Sequence, residues 1–285
     1  MLTVRANAKI NWSLSITGLR ADGYHELDML MQSVSLYDTL TFEPASELSL
    51  SVDGRPAPWD EKNLVCRAAM RLREVCGVKR GARIALVKRI PAMAGLGGGS
   101  ADGAAALLSL NRLWSAGLSL EALLGIGLSL GADLPFCLTG GLLRVRGIGE
   151  RLEALTAPAS PGLVLVMPDD GLSTSAVFSR YDDAPRALPT DNAAAARALC
   201  EGDFERLNLL AHNDLTLPAQ ALNPGVEAVV DDMLACGARF ARMSGSGSCC
   251  FGVFDDPDAA FAALKARWRR VYRVETRPCG VEFCE

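Results

Sequence analysis

Residues 91–108 read PAMAGLGGGSADGAAALL, and they place four glycines, at 95, 97, 98 and 99, between a strand-like run, Arg83 to Ile90, and a helical run, Ser100 to Trp114. A strand that enters a helix through such a loop leaves backbone N–H groups uncovered at the helix N-terminus, where they and the helix dipole favour a bound phosphate. Two familiar phosphate loops do not fit. A Walker A loop needs a lysine before its Ser/Thr, and Gly98-Gly99-Ser100 has none; a dinucleotide fingerprint needs a third glycine where Ser100 stands. A nicotinamide-dependent oxidoreductase is therefore a weak rival.

The rest of the chain predicts an α+β protein of two lobes. Its 285 residues exceed the usual single-core size, and 49% hydrophobic against 22% charged residues provides for a substantial interior. From Ala8 to Ile16 apolar residues alternate with Lys9, Asn11, Ser13 and Ser15, which predicts a half-buried strand with Lys9 and Asn11 on one face. A loop over Gly18 to Leu27 joins it to an apolar strand near Leu30 to Tyr37. The proline-bearing polar stretch 45–62 reads as a connection, and helical spacing resumes after Asn63. A further helix over Ser119 to Leu130 takes Ser119 as its N-cap. Thr156 to Gly162 (TAPASPG) has a linker's composition, so the division falls between 1–157, the expected nucleotide-binding domain, and 158–285. Beyond it, helices near 190–200, 203–211, 224–236 and 257–268 alternate with strands near 162–168, 239–243, 249–254 and 271–277.

Charge and cysteine usage exclude several classes. With 29 basic and 33 acidic residues the net charge is −4, which offers no general attraction to nucleic acid or to an anionic membrane. Nine cysteines without a CxxC pair and two histidines suggest neither a disulfide framework nor a zinc site. No basic segment followed by an apolar core opens the chain, so the cytoplasm is the expected location. The oligomeric state is left open.

One carboxylate stands out. From Ala122 to Leu143 the chain is apolar apart from Asp133, and the five glycines and Pro135 in that run argue against a membrane span. An aspartate in such surroundings requires a partner if it is ionised. Lys9, on a strand with an apolar opposite face, either reaches solvent or meets an anion.

PxxxGLGGGSAD closely resembles the ATP-binding motif of the GHMP kinases, and MSGSGSCCF, from Met243, resembles their third motif. AKINWSLSITGLRADGYHEL from Ala8, together with LGADLPF from Leu130, resembles the branch of that family whose acceptor is a CDP-linked methylerythritol of the non-mevalonate isoprenoid pathway. The four blocks span nearly the whole chain. The resemblance implies transfer of the ATP γ-phosphate to the acceptor's 2-hydroxyl in a cleft between two domains. It implies Asp133 as catalytic base with Lys9 paired to it, and Pro91, Ala92, Met93, Ala94, Gly95, Leu96, Gly97, Gly98, Gly99, Ser100 and Ala101 around ATP. Asn11, Tyr24, His25 and Phe178 would hold the acceptor, with Tyr24 and Phe178 on opposite faces of the cytosine. Ser244, Gly245, Ser246 and Gly247 form the third glycine motif. Magnesium would arrive with ATP, and Ser100 is its one candidate ligand, because Ala101 stands where a second serine is common. A mevalonate-type or homoserine kinase is the nearest alternative, and a non-catalytic metabolite-binding regulator a more distant one. His212 fits none of the motifs and is expected to be structural.

Overall fold

The computed structural model describes residues 1–57, 59–60, 62–156, 161–183, 185 and 190–284. The expected division at 157/158 lies outside the described residues. Its flanks fall into two sheets.

The first sheet grows from β1 (Leu2–Leu19) and β2 (His25–Ala45), joined by a tight turn at 20–24 in which the Arg20 N–H donates to the Tyr24 carbonyl. The stretch read as a polar connection holds two short strands, β3 (Leu48–Val52) and β4 (Arg55–Ala57). There follow α1 (Leu64–Cys76), capped by the Asn63 side chain, and β5 (Gly81–Val87). Beyond the glycine loop come α2 (Gly98–Leu113), α3 (Leu120–Leu130), capped by Ser119 as expected, α4 (Leu134–Thr139), β6 (Leu142–Gly147) and β7 (Arg151–Ala154). The apolar run 122–143 is thus split among two helices and a strand. Among the described residues no helix is long and apolar enough to cross a membrane.

The second sheet is antiparallel, in the order β11-β8-β10-β9. It is built from β8 (Gly162–Met167), α5 (Thr174–Asp183), α6 (Asn192–Glu201), α7 (Phe204–Leu210), α8 (Thr216–Leu222), α9 (Gly225–Ala235), β9 (Phe240–Met243), β10 (Cys250–Phe254), α10 (Pro257–Lys265) and β11 (Arg270–Val274). Helices α5 and α8 were not expected. A last strand, β12 (Val281–Cys284), returns to the first sheet and pairs antiparallel with β1, so that sheet runs β12-β1-β2-β5-β3-β4, with β6 pairing to β2 and β7 to β6.

The half-buried reading of β1 fails in one respect: both of its faces are covered. Ser13 Oγ donates to Asn192 Oδ1 at 2.6 Å, the Ile16 N–H donates to Asp214, and Trp12 meets Phe251 edge-on with ring centroids 5.2 Å apart. Polar residues on the second face are therefore buried rather than wetted, and Ser13 and Ser15 both bond to Asn192 of the other lobe, as burial requires. Bulges at Asn7/Ala8 and Asn11/Ser13 let one strand serve both lobes.

Candidate active site

A cavity of about 860 Å³ opens between the two sheets. One wall is the loop of residues 91–97. Gly97, at φ 70°, is the N-cap of α2, and no side chain caps that helix. The first intrahelical bond runs from the Ala101 N–H to the Gly97 carbonyl, so the N–H groups of Gly98, Gly99 and Ser100 precede it and remain at the helix's positive end. Pro91 to Ser100 all line the cavity; Ala101 is buried within α2 and does not.

The second glycine segment, Ser244–Gly247, joins β9 to β10 and closes on the first. Ser244 Oγ donates to the Gly95 carbonyl at 3.1 Å and accepts from the Asn11 N–H at 3.2 Å, and the Cys249 N–H donates to the Ala94 carbonyl. Here glycine is a steric requirement: a Cβ on Gly95, at φ 72°, would lie 2.0 Å from the Ser244 carbonyl oxygen. Gly245 and Ser246 reach the cavity surface.

Lys9 sits at the centre. Its backbone N–H donates to the Leu96 carbonyl, which ties β1 to the glycine loop, and a Cβ on Gly97 would lie 3.0 Å from its Cγ. Lys9 Nζ donates to Asn11 Oδ1 at 2.7 Å and stands 3.5 Å from Asp133 Oδ2. The Lys9 side chain is only 5% exposed, whereas that of Asp133 is 31% exposed and opens to the cavity. The partner that an aspartate in an apolar run requires is thus Lys9, and Asn11 orients the ammonium.

Residues 63–141 match the model of the GHMP kinases N terminal domain, and residues 195–273 that of the GHMP kinases C terminal. A 4-diphosphocytidyl-2-C-methyl-D-erythritol kinase from Pelotomaculum thermopropionicum is 43% identical over 95% of this chain and 94% of its own length. The protein of that name from Rhodospirillum rubrum is 41% identical over 90% and 84%. The chain belongs to this family of GHMP kinases. A crystal structure of 4-(cytidine 5'-diphospho)-2C-methyl-D-erythritol kinase superposes with a TM-score of 0.80 at 37% identity, covering 96% of this chain and 98% of the other.

In this GHMP kinase the far end of the cavity is aromatic. His25 opens β2, and its ring lies 5.0 Å from that of Phe178 on α5, tilted by 36°, while His25 Nε2 is 2.8 Å from Asp182 Oδ1. Tyr24 lines the same end and is 60% exposed. The rings in contact are therefore His25 and Phe178; Tyr24 stands free on the turn. Thr174, bonded through Oγ1 to Ser246 Oγ at 2.9 Å, joins this end to the second glycine segment and had no signal in the sequence. His212 lies outside the cavity, and its carbonyl accepts from Ser13 Oγ and the Leu14 N–H.

A second charged cluster was missed. Lys88 lines the cavity beside Gly98, with its Nζ 2.5 Å from Asp38 Oδ2 and 2.7 Å from Asp102 Oδ2. Asp38 also accepts from the N–H groups of Arg89 and Ile90, which lead into the glycine loop. Asp102 Oδ1 has no hydrogen-bond partner among the described residues. Burial pushes the Asp102 carboxyl up to about 8; Lys88 opposes the rise and Asp38 adds to it. Burial would lower the Lys88 ammonium, but the neighbouring carboxylates outweigh it and hold it above the ordinary lysine value. One cation faces two carboxyls, and the burial that raises the Asp102 carboxyl leaves it protonated near neutral pH.

Proposed function

We propose that this chain transfers the γ-phosphoryl group of ATP to the 2-hydroxyl of 4-diphosphocytidyl-2-C-methyl-D-erythritol, an alcohol step of non-mevalonate isoprenoid synthesis, in the cytoplasm. The observation that carries the reading is the Lys9–Asp133 pair, open on its carboxylate side to a cavity walled by an uncapped glycine-loop helix terminus. Full-length similarity to kinases of that name supports the substrate.

Phosphoryl transfer is mostly alignment and charge compensation. In the proposed reaction the N–H groups of Gly98, Gly99 and Ser100 hold phosphate oxygens at the end of α2. Asp133 accepts the proton of the acceptor hydroxyl as its oxygen bonds to the γ-phosphorus and ADP departs. Lys9, oriented by Asn11, stabilises the Asp133 carboxylate and the incoming oxygen. The site's donors fit a nucleotide accompanied by magnesium: the Ser100 hydroxyl sits at the cradle, and it would hold the ion. Bound there, magnesium neutralises charge on the phosphate oxygens. Residues 1–157 would act as the nucleotide-binding domain and 158–285 as the domain that supplies Phe178 and the third glycine motif. Tyr24, His25 and Phe178 would hold the cytosine, with His25 fixed by Asp182.

A coupled ADP-release assay with the CDP-linked alcohol, mevalonate and homoserine tests the substrate. Turnover with the CDP-linked alcohol alone is expected; preference for either other acceptor overturns the assignment. In the same assay Tyr24→Ala should raise KM for the CDP-linked alcohol while KM for ATP stays put, a loss of about 1–3 kcal/mol if the ring stacks on a base.

A further inference from the structure

Outside the cleft, α5, α8 and β9 enclose a second cavity of about 530 Å³. Leu217, Pro218 and Val230 make part of its wall apolar, and Arg242 lines it, as does Arg180, whose guanidinium pairs with Asp183. Arg242 Nη1 donates to the Ala241 carbonyl at 2.9 Å and Nη2 to the Asn208 carbonyl at 3.0 Å, and the group lies 5.1 Å above the Phe240 ring. Those bonds use two of its five N–H donors, and both go to neutral acceptors. Among the described residues no carboxylate pairs with it. Burial lowers its pKa, and no acid counters that shift.

Several arginines of this chain are treated differently: Arg144, Arg239, Arg267 and Arg273 each pair with an aspartate. A guanidinium withdrawn from water without a counter-ion has unspent capacity for an oxyanion, which its planar fork grips at two points. The acid at this cavity is Asp214. Its Oδ2 is taken up by the Ile16 N–H, and its charge is felt at the Tyr181 hydroxyl, not at Arg242. The cavity thus has one cationic end and an apolar body, the layout of a small-molecule pocket.

We propose that this cavity binds a small amphiphilic oxyanion, an organic carboxylate or phosphate monoester, with its acid group on Arg242 and its apolar body against Leu217, Pro218 and Val230. The site is separate from the cleft, though a shared element divides them. The Asn213 side chain at the cavity wall donates to the carbonyls of Met243 and Gly245, the latter in the second glycine segment.

The test is calorimetric titration of the full chain with phenyl phosphate and with phenylacetate, the cleft being filled with a non-hydrolysable ATP analogue and CDP. At least one probe should bind saturably at one site, and inorganic phosphate, which lacks the apolar body, at least tenfold more weakly. Arg242→Met should weaken binding at least tenfold. Ala221→Trp, which fills the cavity from α8 and leaves the guanidinium untouched, should do the same, and it keeps the test decisive if Arg242→Met does not fold. Near-UV circular dichroism checks both variants. The proposal is overturned by the absence of saturable binding, by binding that both folded variants retain, by displacement with the ATP analogue, or by inorganic phosphate binding as tightly as the esters.

Discussion

Two lysines reach the same cleft with carboxyls beside them, and they are built the opposite way round. At Lys9 the cation is sequestered and the carboxylate of Asp133 is open. At Lys88 both carboxyls are buried, and the ammonium is the exposed member, with 28% of its side chain accessible. What each pair presents to a ligand is its exposed half. The first offers a carboxylate oxygen backed by a hidden cation. The second offers positive charge beside the phosphate cradle, held in place by hidden acids. Burial of one partner, more than the pairing itself, decides which chemistry faces the substrate.

The largest effect should come from breaking the hidden half of the second cluster. Asp38→Ala leaves two backbone N–H groups without their acceptor and Lys88 with Asp102 alone, and breaking such a buried charged cluster costs about 3–5 kcal/mol. Urea unfolding measures this, and a loss below about 1 kcal/mol would mean that Asp38 does not anchor the strand leading into the glycine loop.

Next is the open half of the first pair. Asp133→Asn keeps shape but not basicity, so kcat should fall by roughly 10² or more, about 2.7 kcal/mol, with a smaller change in substrate binding. Lys9→Met should act on the same step, and the double variant should lose less than the product of the two single losses. Single-turnover kinetics decides the matter; near-native transfer by Asp133→Asn would make the two clusters equally structural.

A graded effect sharpens the contrast through pH. Asp102 has a folded-state value near 8 against an ordinary 3.8, so it binds a proton in the folded chain that it gives up on unfolding. Its contribution is complete below the ordinary value and is lost as pH rises through 8. Asp102→Asn should therefore gain stability relative to the wild type between pH 5 and 8, by up to about 1.4 kcal/mol per pH unit. Parallel denaturation curves of the two proteins across that range would show Asp102 ionised in the folded state.

The first pair was legible in the sequence and the second was not, for a physical reason. Asp133 is the sole charge in a long apolar run, and Lys9 belongs to a recognisable strand motif, so each announces itself. Asp38 sits in SLYDTL and Asp102 in an alanine-rich helix, where isolated acids are ordinary, and only the meeting of β2, the end of β5 and α2 makes a cluster of them. Alternation revealed β1 but not the covering of its second face, because periodicity reports a strand's two faces without saying what lies against the polar one. Composition hid β3 and β4, the latter an edge strand that tolerates Pro56, and the apolar run concealed where α4 ends and β6 begins. The ring contact between His25 and Phe178 depends on how α5, a helix the pattern did not show, lies against β2.

The return of β12 to β1 has a consequence for how the molecule is made. Val281 to Cys284 complete the edge of a sheet whose first strand holds Lys9, with Thr3 opposite Cys284 and Ala6 opposite Val281. During synthesis β1 leaves the ribosome early and must wait for its outer neighbour until almost every other element has emerged. That pairing has about the longest sequence separation the chain permits, and distant pairings are slow to form. Until it closes, one edge of β1 is an unsatisfied row of backbone donors and acceptors, a template for the wrong partner. The strand that carries Lys9 is thus also the last to be protected.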